Sequence, residues 1–190
     1  VATTLIAAGA DVNHARTDNG TTPLYIAANK GHSDVVQMLI AAGADVNQAR
    51  TKDGATPLYI AAYNGHSKVV KMLIAAGADV NQAMTDGGST PLYFAAYKGH
   101  SQVVKMLIAA GADVNQARTK DGTTPLYTAA FYGHSQVVKM LIAAGADANQ
   151  AMTDGGSTPL YFAAYNGHSQ VVKMLIAAGA DVNQARTKDG

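Results

Sequence analysis

The sequence predicts an all-α tandem array in which short antiparallel helix pairs stack on one another, joined by polar loop or β-hairpin fingers. Three observations predict it. The tripeptide Thr-Pro-Leu begins at Thr22, Thr56, Thr90, Thr124 and Thr158, each 34 residues after the last. Within each unit two short apolar segments are each closed by a glycine, as at Gly65 and Gly77. Between units runs a polar stretch, such as 77–88, carrying Asn, Asp and Gly where a turn must form. Self-similarity at one fixed period is the signature of a repeat architecture. The 190 residues therefore divide into a half unit at 1–16, full units at 17–50, 51–84, 85–118, 119–152 and 153–186, and the opening of a further unit at 187–190. No composition shift marks a domain boundary inside this array.

The elements of one unit follow from its residues. Thr56 is placed to cap a first helix that starts at Pro57, where the missing N–H costs nothing, and Gly65 supplies the left-handed residue that ends it. Ser67 is placed to cap a second helix carrying Val69, Val70, Leu73 and Ile74 on one face, with Gly77 as its stop. Helices this short fall below the roughly 12–15 residues at which an isolated helix becomes marginal in water. Their stability must come from stacking Ala61, Ala62, Leu73 and Ile74 against neighbouring units. A second period overlies the first. Residues 50, 84, 118, 152 and 186 alternate between Arg and Met, and the following turn alternates between Lys-Asp-Gly and Asp-Gly-Gly. Segments 85–118 and 153–186 differ only at Lys98 against Asn166.

The string DG-x-TPL-x-x-AA-x-x-GH-x-x-VV-x-x-LI-x-x-GADVN, read from Asp53 onward, resembles the ankyrin repeat, and it recurs along the whole chain. The resemblance implies a right-handed, gently curved solenoid whose fingers and first helices line a concave face that binds other proteins. Two features depart from the family pattern. The unit exceeds the usual 33 residues or so by one, between Asn47 and Gly54. Tyrosine stands at 25, 59, 93, 127 and 161, where the family usually has histidine.

Composition limits the chemistry available. There is no cysteine, so disulfides, thiolate metal sites and cysteine nucleophiles are excluded, which agrees with an intracellular, cytoplasmic setting. A formal charge of +1, with charges scattered singly, disfavours nucleic acid and anionic membranes as partners. The apolar runs are too short to span a bilayer. His32, His66, His100, His134 and His168 occupy one equivalent position per unit, so they cannot converge on one metal, and the sequence assigns them inter-unit hydrogen bonds instead. A Ser/His/Asp reading of His66, Ser67 and Asp79 fails on the same ground, because the trio recurs in every full unit. The sequence thus implies no cofactor, no metal and no catalytic site.

The aromatic residues carry the functional expectation. All twelve, nine Tyr and three Phe, lie in the first-helix segments. Advancing about 100° per residue from Leu58 sends Ala61 and Ala62 to the leucine's side and Tyr63 and Asn64 to the far side. Tyr63, Tyr97, Phe131, Tyr132 and Tyr165 are thereby expected to form an exposed ladder. Most of the variation between units falls on the same two positions, which also include Lys30, Asn64 and Lys98. Arg50, Lys52, Met84 and Arg118 on the fingers complete the expected rim. The function expected is a non-catalytic scaffold that binds a protein partner, with a spacer segment of a longer array as the alternative. End-to-end self-association is a further expectation, with Val1 to Ile6 as its weakest helix.

Overall fold

The computed structural model describes residues 4, 8–153 and 155–184. The expected weak helix at Val1 to Ile6, Thr4 excepted, lies outside the described residues, as do Arg186 and the opening of a further unit at 187–190. Five helix pairs are described in full: α1 (Pro23–Asn29) and α2 (Ser33–Ala41), α3 (Pro57–Tyr63) and α4 (Ser67–Ala75), α5 (Pro91–Lys98) and α6 (Ser101–Ala109), α7 (Pro125–Phe131) and α8 (Ser135–Ala143), α9 (Pro159–Tyr165) and α10 (Ser169–Ala177). Each first helix packs against its own second helix and against the first helices on either side, and the second helices also touch in sequence.

Each first helix begins as its sequence dictates. The Thr56 hydroxyl accepts the Tyr59 backbone N–H at 3.1 Å, and Thr22, Thr90, Thr124 and Thr158 repeat the bond. The second helices depart from expectation. His66, not Ser67, holds the N-cap position, and its side chain makes no capping bond. The same holds for His32, His100, His134 and His168, so the serine enters as the first helical residue. The imidazole is instead committed across the unit boundary, with His66 Nε2 donating to the Asn29 carbonyl at 3.1 Å. His100, His134 and His168 do the same to the carbonyls of Tyr63, Tyr97 and Phe131. These carbonyls close the C-terminal turn of the preceding first helix, where intrahelical partners run out. Each of these four histidines, from His66 onward, therefore caps a helix in the neighbouring unit.

Gly31, Gly65, Gly99 and Gly133 are required twice over. Each has φ near +70°, and a Cβ built on any of them would come within 2.8 Å of the next unit's histidine ring. The core is a single row of layers. Leu58, Leu73, Leu92, Leu107, Leu126 and Leu141 are fully buried together with Ala61, Ala62, Ala95, Ala96, Ala129 and Ala130. Alanine at both central positions lets the first helices approach closely.

The fingers are turns. Among the described residues none is in a strand, so of the expected loop or β-hairpin finger the loop is formed, closed by Arg50 N–H donating to the Ala55 carbonyl and Gly54 N–H to the Arg50 carbonyl, both at 2.9 Å. The fingers are stitched to one another instead: Thr51 N–H donates to Asn19 O, Thr85 to Asp53 O and Thr153 to Asp121 O, at 3.0–3.1 Å. The asparagines at 13, 47, 81, 115 and 149 add a second stitch. Asn47 Oδ1 accepts the Asp79 N–H at 2.8 Å, while its Nδ2 donates to the Gly77 carbonyl at 3.3 Å.

Candidate functional site

The aromatic side chains form a continuous strip across the first helices, in two boxes joined by a bridge. In the first box Phe94 is the centre, with ring centroids 5.0 Å from Tyr59, 5.5 Å from Tyr63, 5.3 Å from Tyr93 and 6.1 Å from Tyr97. In the second, Phe162 lies 5.5 Å from Tyr127, 5.1 Å from Phe131, 5.1 Å from Tyr161 and 6.1 Å from Tyr165. Tyr132 bridges them, 4.8 Å from both Tyr97 and Phe131. The two centres are 68 residues apart because phenylalanine follows Thr-Pro-Leu-Tyr only in alternate units.

The expected ladder is exposed unevenly. Tyr132 is 45% and Tyr165 75% exposed, whereas Tyr63, Tyr97 and Phe131 are half-buried. The wheel of an isolated helix sends these three away from the core leucine, but the phenylalanine of the next first helix covers Tyr63 and Phe131, and Tyr132 covers Tyr97. The residue after them in sequence is not simply outward either; it reaches back to the preceding unit. Asn64 Nδ2 donates to the Asn29 side-chain and backbone oxygens at 2.9 and 3.2 Å. The Lys98 ammonium lies 4.6 Å from the Tyr63 ring centroid and 5.1 Å from that of Tyr97. Asn166 Nδ2 donates to the Phe131 carbonyl at 3.0 Å. Lys30, one unit earlier, is exposed.

The finger residues also divide. Lys52 is exposed and Met84 half-buried. Arg50 and Arg118, expected on the rim, are instead fixed within the array. Arg50 Nη1 donates to the Tyr25 hydroxyl at 3.2 Å with its guanidinium 5.2 Å from that ring, and it pairs with Asp53 at 3.6 Å. Arg118 repeats this with Tyr93 and with Asp121 at 3.1 Å. The tyrosine that replaces the family's histidine thus turns its hydroxyl to the following finger. The alternation in sequence now has a physical reading. Arg at 50 and 118 comes with Asp three residues on, and Met at 84 and 152 comes with Gly87 and Gly155, which adopt φ of +91° and +85°. Two finger types alternate along the array, one carrying an Arg–Asp ion pair and one with Met and Gly at those two positions.

Burial and neighbouring rings hold two phenols in the neutral form. The Tyr132 hydroxyl, hydrogen-bonded to that of Tyr97 and partly desolvated, is pushed up to about 12. Burial alone is the larger cause of the upward shift at Tyr59. Among the described residues no three His or Asp side chains gather at metal-binding distance, and no helix is long and apolar enough to cross a membrane. A cavity of about 400 Å³ lies beside Leu160, Tyr161, Tyr165, Asp181 and Val182. It belongs to the face of unit 153–186 that corresponds to the stacking surface between internal units.

A family model described as ankyrin repeats (3 copies) matches residues 1–84, 50–118, 82–152 and 116–186, and together these matches cover nearly the whole sequence. The chain belongs to the ankyrin-repeat family. Ankyrin repeats are in general protein–protein interaction modules, and proteins built from them are typically non-enzymatic scaffolds. No curated protein matches this ankyrin array. Sequence reasoning missed three features of its first-helix face: the phenylalanine-centred boxes, the residue that reaches back at 64, 98, 132 and 166, and the Arg–Tyr contacts. A signal for the last was present, in the paired exchange of Arg with Asp for Met with Gly.

Proposed function

We propose that the array is a non-catalytic scaffold that binds a protein partner across its first helices. The observation that carries this reading is the aromatic strip from Tyr59 to Tyr165, continuous ring to ring and open to solvent at Tyr132 and Tyr165. Aromatic anchors bury a large area at small entropic cost, which is why tyrosine is enriched at the centres of interfaces. Lys52, Lys30 and Lys98 are the charged rim, and Met84 is an adaptable contact. Arg50 and Arg118 act beneath the surface, holding the fingers against Tyr25 and Tyr93. Tyr63, Tyr97, Phe131 and Asn64 shape the floor.

Tyr132→Ala and Tyr165→Ala test the reading best, because both side chains are exposed and their removal leaves the core intact. An anchor at the centre of an interface should cost about 2 kcal/mol or more on truncation, whereas Lys52→Ala should cost less. The measurement is the set of proteins retained from lysate by the parent and by the double variant, followed by titration of any purified partner. Retention that is unchanged by the double variant contradicts the reading and favours a spacer role.

End-to-end association is a second proposal. It is supported by exposed Tyr165, Ile176 and Val182 (75%, 48% and 63%) on one stacking face and by Ile26 (46%) on the opposite side of the described units. Light scattering across a concentration series tests it, and a constant monomer mass contradicts it.

A further inference from the structure

Four notches lie between successive first helices, and each receives the residue that reaches back from the later unit. Between Asn29 and Tyr63 the occupant is the Asn64 amide, bonded to Asn29. Between Tyr63 and Tyr97 it is the Lys98 ammonium, 4.6 and 5.1 Å from the two ring centroids. Between Tyr97 and Phe131 it is the Tyr132 ring. Between Phe131 and Tyr165 it is Asn166, drawn down onto the Phe131 carbonyl at 3.0 Å. The second and fourth notches are built alike. Phe94 lies behind the Tyr63–Tyr97 pair and Phe162 behind the Phe131–Tyr165 pair, at matching separations of 5.5 and 6.1 Å against 5.1 and 6.1 Å. The units that close them, 85–118 and 153–186, differ at one residue, lysine against asparagine.

The two notches differ in the residue that closes them, Lys98 against Asn166, and in one wall, Tyr63 against Phe131. One aromatic notch is filled by a cation from within. In the other the asparagine amide turns to backbone, and no cation lies over Phe131, Phe162 or Tyr165 among the described residues. Aromatic faces carry negative quadrupole charge that attracts ammonium and guanidinium groups within about 6 Å of the ring centroid. We infer that the notch formed by Phe131, Phe162 and Tyr165 takes an arginine or lysine side chain from a basic segment of the protein partner, in the place that Lys98 fills one double unit earlier. This rests on the protein-binding reading of the first-helix face and names the side chain that this one notch takes. Both walls of the notch come from first helices α7 and α9, so every side chain that shapes it is supplied by units 119–152 and 153–186.

The test is a titration monitored through the aromatic ring resonances of the full chain. The probe is a short glycine–serine peptide carrying arginine, compared with the same peptide carrying citrulline, which keeps the shape and loses the charge. The arginine peptide should shift Phe131, Phe162 and Tyr165 and bind about tenfold more tightly than the citrulline peptide. Asn166→Lys should fill the notch from within and abolish the shifts. Lys98→Asn should open a second site and add shifts at Tyr63, Phe94 and Tyr97. Equal binding of the two peptides, or shifts that persist in Asn166→Lys, would overturn the inference. If the arginine peptide fails while Tyr132→Ala with Tyr165→Ala still lowers partner retention, the cationic occupant is wrong and the binding face stands. If the peptide binds as expected while partner retention ignores both tyrosines, the notch stands and the broader reading falls.

Discussion

At the scale of single residues, the same side chain serves packing and presentation, and physical chemistry decides which dominates. Tyr132 is the clearest case. Its hydroxyl bonds to that of Tyr97, its ring bridges two aromatic boxes, and its pKa is pushed up to about 12. In the unfolded chain a tyrosine ionises near pH 10. Between those values the unfolded chain has lost a proton that the folded chain retains, so stability falls as pH rises through this window and levels off above the folded value. Tyrosinate absorbance should show a late-titrating phenol that returns toward about 10 in Tyr97→Phe; a parent in which Tyr132 titrates normally contradicts the hydroxyl pair. Gly99 sets a second residue-scale prediction. A Cβ there would come within 2.7 Å of the His134 ring, whereas at Gly111 nothing lies within 4 Å, although both have positive φ. Gly99→Ala and Gly111→Ala share the left-handed cost of about 1–2 kcal/mol. Only Gly99→Ala should add a further loss of about 1–3 kcal/mol from overpacking, read as the difference between their urea midpoints. Equal losses would mean that the histidine yields freely.

At the scale of elements, what was legible in the sequence is what one unit determines alone. The Thr-Pro start of each first helix, the glycine stops, the buried leucines and the paired alanines all follow from local rules. What escaped was set by the next unit. Ser67 reads as a cap, but His66 holds that position while its ring serves a carbonyl 37 residues back. Asn64 and Tyr63 read as outward on an isolated wheel, and the neighbouring helix then covers or engages both. The fingers show how such coupling can be tested. Arg118 and Asp121 are each about three-quarters buried and paired at 3.1 Å, and Arg118 Nε is buried without a hydrogen-bond partner. Burying an ion pair is costly enough that a well-packed neutral replacement is often equally stable, while removing one partner alone is not. Arg118→Met should therefore cost about 1–3 kcal/mol by leaving the partly buried Asp121 without its counter-charge and its Oδ2 without the guanidinium donor, while Oδ1 keeps the bonds from Thr123. Replacing 118–122 by the Met84–Gly88 sequence should recover most of that loss in thermal melts. If the single and the full replacement are equally destabilised, the two finger types are not self-consistent alternatives.

At the scale of the whole molecule, the array has no centre, only neighbours. The main contacts between pairs run from each first helix to the next and from each second helix to the next, so each pair is held by the pairs beside it. Stability should then be a sum of unit and interface contributions, and the effect of a cavity should depend on how many interfaces surround it. Leu107 and Leu175 are equivalent positions on α6 and α10 and both are fully buried. Leu107 stands in unit 85–118, with helix pairs described on both sides, whereas the far face of unit 153–186 exposes Tyr165, Ile176 and Val182. Truncation of either leucine removes the same methyl groups. Leu107→Ala should cost about 2–5 kcal/mol and weaken two interfaces at once, lowering the urea midpoint of the whole array. Leu175→Ala should let the last pair open while α3 to α8 remain folded, seen as early hydrogen exchange confined to α9 and α10 with little change in the main transition. Equal midpoint shifts with exchange spread evenly over all five pairs would mean that the array unfolds as one cooperative block, and that neighbour coupling is far stronger than the energy of any single unit.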